Sequence, residues 1–143
     1  MYITGGIGST GQGEAFTVDY DLPPDTAYSE TCAAIGLIFF AEKMLENEIN
    51  GEYSDVMEFV FYNTVLAGMQ LDGKRFFYVN PLEVDIGISG KACTHSHVLP
   101  SRRSGMPAHA VLRTQQGSSA LSENMLTAKR AILLTVTFSH REK

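Results

Sequence analysis

Ala27-Tyr28-Ser29-Glu30-Thr31-Cys32-Ala33-Ala34-Ile35-Gly36-Leu37-Ile38-Phe39-Phe40-Ala41-Glu42-Lys43-Met44-Leu45-Glu46 is the stretch that decides the fold. Within it Ile35, Ile38, Phe39, Ala41 and Leu45 recur at helical spacing, and Glu42, Lys43 and Glu46 fill much of the other face. The pattern predicts a helix from about residue 28 to 49, capped by Asp25 or Thr26 and stopped by Asn50-Gly51. A second helix is predicted from Tyr53 to Ala67, with Val56, Phe59, Val60, Asn63 and Leu66 on overlapping apolar faces and Gly68 at its end. The two should pack antiparallel through Ile35, Phe39, Val56, Phe59 and Val60. Leu71-Asp72-Gly73-Lys74 reads as a turn into a short strand, Arg75–Val79. Two helices, a turn and a strand do not close a fold, so the chain reads as mainly α, one slice of a larger helical domain.

Outward from this core the character changes. Residues 1–24 are rich in Gly and Pro and read as loop. Residues 1–85 carry fourteen acidic and three basic side chains, a net of −11, whereas residues 86–143 carry two acidic and eight basic, a net of +6. Thirteen of the fourteen aromatics lie at or before Tyr78, leaving only Phe138 beyond it. After Asp85 no amphipathic stretch is convincing, although Ile132–Phe138 could form a strand on β-branched content. The expected division is therefore residues 1–85, a folded helical part, and residues 86–143, a poorly specified tail. Residues 86–131 should show little regular structure and few buried contacts. No apolar run approaches the ~20 residues of a membrane span, the start does not resemble a signal peptide, and two cysteines make no disulfide framework. A cytoplasmic protein is the expectation.

Each chemical motif has a bland reading beside it. Gly6-Ile7-Gly8-Ser9-Thr10-Gly11 has the spacing of a dinucleotide loop. The following Gln12–Phe16 and Asp21-Leu22-Pro23-Pro24 cannot supply the helix such a loop must open, so an irregular glycine loop is favoured. His95 and His97 could bind a metal from a strand but have no third ligand nearby. The basic tail lacks the interleaved aromatics of a nucleic-acid surface. Glu30 and Cys32 would point ~200° apart on a regular helix, so joint metal binding needs an irregular first turn. Glu58, among Met57, Phe59, Val60 and Phe61, is costly to bury unless paired, a modest functional hint.

Several segments together resemble the family-127 glycoside hydrolases, the β-L-arabinofuranosidase-like enzymes. They are Tyr2–Ser9, Gly13-Glu14-Ala15-Phe16, Ala27–Gly36, Asp55-Val56-Met57-Glu58, Tyr62-Asn63 and Phe76–Glu83, in the family's order and approximate spacing. The resemblance implies a fragment of an (α/α)6 barrel whose other helices lie largely before Met1. It implies retaining hydrolysis of β-L-arabinofuranosides, with a zinc-bound Cys in place of the usual carboxylate nucleophile. It makes Glu14 the acid/base, Glu30 and Cys32 zinc ligands, and Glu58 and Tyr78 lining residues of the sugar pocket. The substrate would be an arabinose-containing glycan or oligosaccharide.

The family's other two zinc ligands form a Cys-Cys pair in a Trp-x-x-Cys-Ala-Cys-Cys-Pro-Pro-Asn segment, expected after His97-Val98-Leu99-Pro100. This chain instead has Ser104-Gly105-Met106-Pro107-Ala108-His109-Ala110-Val111-Leu112-Arg113-Thr114. Back-translated and read from one base to the left, Gly105–Thr114 permits Trp-His-Ala-Cys-Ala-Cys-Cys-Pro-Pro-Asn. A single-base loss near Arg102, natural or introduced in sequencing, would put everything after about residue 102 out of frame and account for the lost aromatics and acids. On that basis the chain should lack a nucleophile, bind zinc weakly and be inactive alone. Glu14, Glu30, Cys32, Glu58 and Tyr78 should still converge on one concave face. A non-catalytic helical interaction module and a nucleotide-binding enzyme are the alternatives. Apolar helix faces left bare would favour self-association.

Overall fold

A computed structural model of the chain describes residues 1–104; the expectations for residues 105–131 and for a strand at 132–138 lie outside the described residues. Two helices form its centre, α1 over Thr31–Asn47 and α2 over Gly51–Val60. α1 starts later than predicted, and neither Asp25 nor Thr26 caps it. Its N-cap is Glu30, which is extended (φ −75°, ψ 138°) and makes no side-chain cap. The chain at 77–80 does that work. Thr31 N–H donates to Tyr78 C=O at 2.9 Å, and Asn80 N–H donates to Ser29 C=O at 2.8 Å. The Thr31 hydroxyl adds a bond to Phe77 C=O at 2.8 Å. Orphan amides at a helix start take whatever acceptor the tertiary fold offers, and local cap residues are then unnecessary. Asn50 is likewise no stop signal: its side chain accepts from Glu52 N–H at 3.0 Å, the N-cap of α2.

The two helices bury Ala34, Ile35, Ile38 and Ala41 against Met57, Val60, Phe61 and Val65, with Leu45 and Val56 at the margin. Phe39 and Phe59, expected at the interface, are instead 39% and 38% exposed. The buried stripe on α1 is Ala34-Ile38-Ala41, so small residues admit α2 and the two phenylalanines are turned outward. A sequence apolar on more than one face does not say which face meets this neighbour.

α2 continues into a π-helical turn, Phe61–Leu66, and helical backbone runs on through Gly68. Such turns are rare and often sit at functional sites. Arg102 closes this end, donating from Nη2 to Ala67 C=O at 2.9 Å and from Nε to Gly68 C=O at 3.1 Å. Its guanidinium also lies 4.6 Å from the centroid of Phe77.

The turn at 70–73 forms as expected, with Gly73 N–H donating to Gln70 C=O at 2.8 Å. Among the described residues the segment after it pairs only through single bridges, Met69 with Phe76, Phe76 with Arg103 and Glu30 with Val79. It is extended chain laid across helix ends, without a ladder. Beyond Asp85 the described part has one short 3-10 turn, Cys93–His95. Val98 is nevertheless completely buried, and Ser89 and His95 are nearly so. These are the three buried residues of 86–99, and the others are partly or fully exposed, so an irregular backbone is pinned by a few well-placed side chains. Among the described residues no helix is long and apolar enough to cross a membrane.

Candidate active site

The glycine-rich start is packed against the two elements that carry the site. A Cβ on Gly6 would fall 1.7 Å from Ser29 Oγ, and one on Gly8 (φ +104°) would fall 2.5 Å from Tyr28 C=O. Gly6 thus leaves room for the Ser29 side chain, and Gly8 lets backbone touch backbone. No helix follows them. Instead Thr10 and Ala15 exchange a pair of hydrogen bonds of 3.2 Å, closing a tight loop that presents Glu14 with φ +51°. A non-glycine residue held in the left-handed region is over-determined by its surroundings.

Glu14 meets Tyr28, whose hydroxyl donates to its Oε1 at 3.0 Å. Glu30 N–H donates to Tyr28 C=O at 2.9 Å, a tight turn at Ser29; Tyr28 and Glu30 are left partly exposed, while Ala27, Ser29 and Thr31 are completely buried. Glu30 in turn lies close enough to the Cys32 thiol and the Tyr78 hydroxyl to disfavour ionisation of both. The ~200° splay of a regular helix does not arise, because Glu30 lies before the helix and Cys32 is inside its first turn. Glu14, Glu30, Cys32 and Tyr78 are thus brought together. Glu58 is placed in a separate shallow groove on α2 and the π-turn, with Asp55, Phe59, Tyr62 and Asn63.

Burial, then the neighbouring carboxylate, sets the protonation of this cluster. Burial and then Glu30 push the Cys32 thiol up to about 12. Burial and Glu14 push the Tyr28 phenol up to about 12. Tyr78 is raised too, by burial and then by Glu30. At neutral pH all three are neutral donors facing two carboxylates. A thiol so held is the reverse of an activated thiolate, which needs a cation beside it.

A thiol and a carboxylate are donors that zinc accepts, but a closed site takes four. Among the described residues no group of three or more His, Cys, Asp or Glu is placed to hold a metal. Glu30 and Cys32 offer two such donors, and no others among the described residues join them. His95 and His97 make no metal pair: His95 Nε2 meets Asp25 Oδ2 at 3.1 Å, and His97 Nε2 meets Thr26 C=O at 3.0 Å. Cys93 is exposed.

Beside the cluster lies a cavity of about 470 Å³ lined by Tyr28, Phe76, Phe77, Tyr78, His97 and Leu99 among others, reaching Arg103 and Ser104. Tyr28 and His97 were not singled out as site residues from sequence. For the first, the available signal was its place two residues before Glu30.

Residues 1–99 match the family model described as the β-L-arabinofuranosidase GH127 catalytic domain. The non-reducing end β-L-arabinofuranosidase of Bifidobacterium longum subsp. longum is 57% identical over 83 residues, covering 58% of this chain and 13% of that protein. A solved GH127 β-L-arabinofuranosidase from Geobacillus stearothermophilus superposes with a TM-score of 0.72 at 51% identity, over 78% of this chain and 18% of its own. A second solved GH127 β-arabinofuranosidase gives a TM-score of 0.59 at 44% identity, over 68% of this chain and 16% of its own. The matches are to catalytic domains of glycoside hydrolases. The chain belongs to the GH127 family, and its helices are a piece of that family's (α/α)6 barrel. It spans under a fifth of the length of these relatives.

Proposed function

We propose that this chain carries the acid/base side of a retaining site for non-reducing-end β-L-arabinofuranosides, and that it does not turn over alone. The observation that carries the proposal is the convergence of Glu14, Glu30, Cys32 and Tyr78 around Tyr28. In this reading Glu14 gives its proton to the leaving oxygen and later takes one from water. Glu30 orients the Cys32 thiol, and Tyr78 contacts the sugar; Glu58, in its separate groove, is left out of the site. Zinc, when bound, would hold sulfur as thiolate.

What the chain lacks is the nucleophile. The family match stops at residue 99, just before the expected cysteine pair, and Arg102 is still engaged with the end of the π-turn. Both facts favour a frame break at or just after Arg102. The test is a longer protein with the frame restored. Turnover of an aryl β-L-arabinofuranoside there, lost on Glu14→Gln, supports the assignment; full activity in Glu14→Gln refutes it.

A non-catalytic interaction module is the second reading, favoured by bare apolar surface. Phe40, Ile49 and Tyr62 are 61%, 68% and 56% exposed on and beside the two helices. Concentration-dependent self-association together with an inactive frame-restored protein would favour it.

A further inference from the structure

The two histidines of His95-Ser96-His97 have no part in the reaction above, yet both are used. Each crosses to the 25–28 segment about seventy residues away in sequence. His95, 8% exposed, reaches the Asp25 carboxylate at 3.1 Å and takes a second contact from Thr94 Oγ1 at 2.8 Å. His97 reaches Thr26 C=O at 3.0 Å. A carbonyl only accepts, so Nε2 of His97 carries the proton. The imidazole is then fixed, and its ring lies against Tyr28 with centroids 5.5 Å apart at 57°.

Gly11 closes the other side. A Cβ there would sit 3.1 Å from Tyr28 Cδ2 and 3.4 Å from His97 Nδ1, so the loop that carries Glu14 rests on both rings. Tyr28 also borders the 470 Å³ cavity. Without the His97 ring its side chain would be free to swing into that space, away from Glu14. Resting on the assignment of Glu14 as the acid/base, we propose that His97 is a positioning residue for Glu14, acting through Tyr28. The imidazole holds the phenol, and the phenol holds the carboxyl.

The test is nuclear magnetic resonance on the 143-residue chain, following the cross-peaks between the Tyr28 ring and the Glu14 side chain. His97→Leu should abolish them while cross-peaks between α1 and α2 in the core persist. His97→Gln, which keeps a donor for Thr26 C=O, should restore at least part of them. Unchanged Tyr28–Glu14 cross-peaks in the Leu variant would overturn the proposal. So would their loss together with the core cross-peaks, since His97 would then be a general fold residue, and so would a failure of Gln to restore any. Because this readout needs no turnover, it stands apart from the Glu14→Gln assay, in which the catalytic assignment itself can fail.

Discussion

The Tyr28 hydroxyl donates to Glu14 Oε1 at 3.0 Å, joining a loop residue to the segment that leads into α1. The bond has two consequences. It fixes the direction of the carboxyl, and it makes deprotonation of the phenol unfavourable, because an anion would face Glu14.

That cost predicts alkaline sensitivity. Tyr28 is raised from 10.0 to about 12 and Cys32 from 9.0 to about 12. Groups whose folded values are raised contribute stability that is complete below the unfolded value and lost as pH climbs through the folded one. The midpoint of urea unfolding should therefore hold up to about pH 9 and fall between there and about pH 12. Tyr28→Phe should flatten part of that fall. A midpoint independent of pH across this window would contradict the burial of these groups beside carboxylates.

Thiol chemistry gives a second expectation. Cys93 is exposed, whereas Cys32 is partly covered and held neutral. Alkylation at neutral pH should modify Cys93 first, with Cys32 slower by about tenfold or more. Zinc added and then dialysed away should leave the protein with much less than one equivalent. Tight stoichiometric retention would mean that this chain completes a site from residues other than Glu30 and Cys32.

Gly6→Ala should destabilise the fold by about 1–3 kcal/mol, the usual cost of overpacking, because the new methyl would land on Ser29 Oγ. Urea unfolding measures it. The variant should also weaken the Tyr28–Glu14 contact, since Ser29 is the next residue. Nucleotide titration should give no saturable binding, as Gly6 and Gly8 are packed closely against Ser29 and Tyr28.

The family and the helices were legible because they sit in short, distinctive segments such as Tyr28-Ser29-Glu30-Thr31-Cys32, and the same segments carry Glu14, Glu30, Cys32 and Tyr78, which the structure gathers near Tyr28. Less was legible where tertiary contacts replace local signals. The start of α1 depends on Tyr78 C=O, 47 residues on from Thr31 and invisible in a cap pattern. Phe39 and Phe59 were assigned to the wrong interface because both helices carry apolar residues on several faces. The Glu30–Cys32 meeting was obscured by treating both as helical. His95 and His97 could be weighed only as a metal pair, since nothing local indicates that Asp25 and Thr26 lie opposite them.

The coding DNA offers a further check. With one base restored near Arg102, the codons of Gly105–Thr114 should read Trp-His-Ala-Cys-Ala-Cys-Cys-Pro-Pro-Asn and continue open. A stop codon there, or any frame without the adjacent cysteines, would remove the frameshift from the account.

In the proposed function this chain keeps the acid/base and lacks the nucleophile. Turnover of an aryl β-L-arabinofuranoside tests it most directly, measured on this chain beside a longer protein with its frame restored. The account predicts no turnover by the 143-residue chain, activity in the restored protein, and loss of that activity when the first of the restored adjacent cysteines is changed to Ser. Measurable hydrolysis by the short chain itself would contradict it.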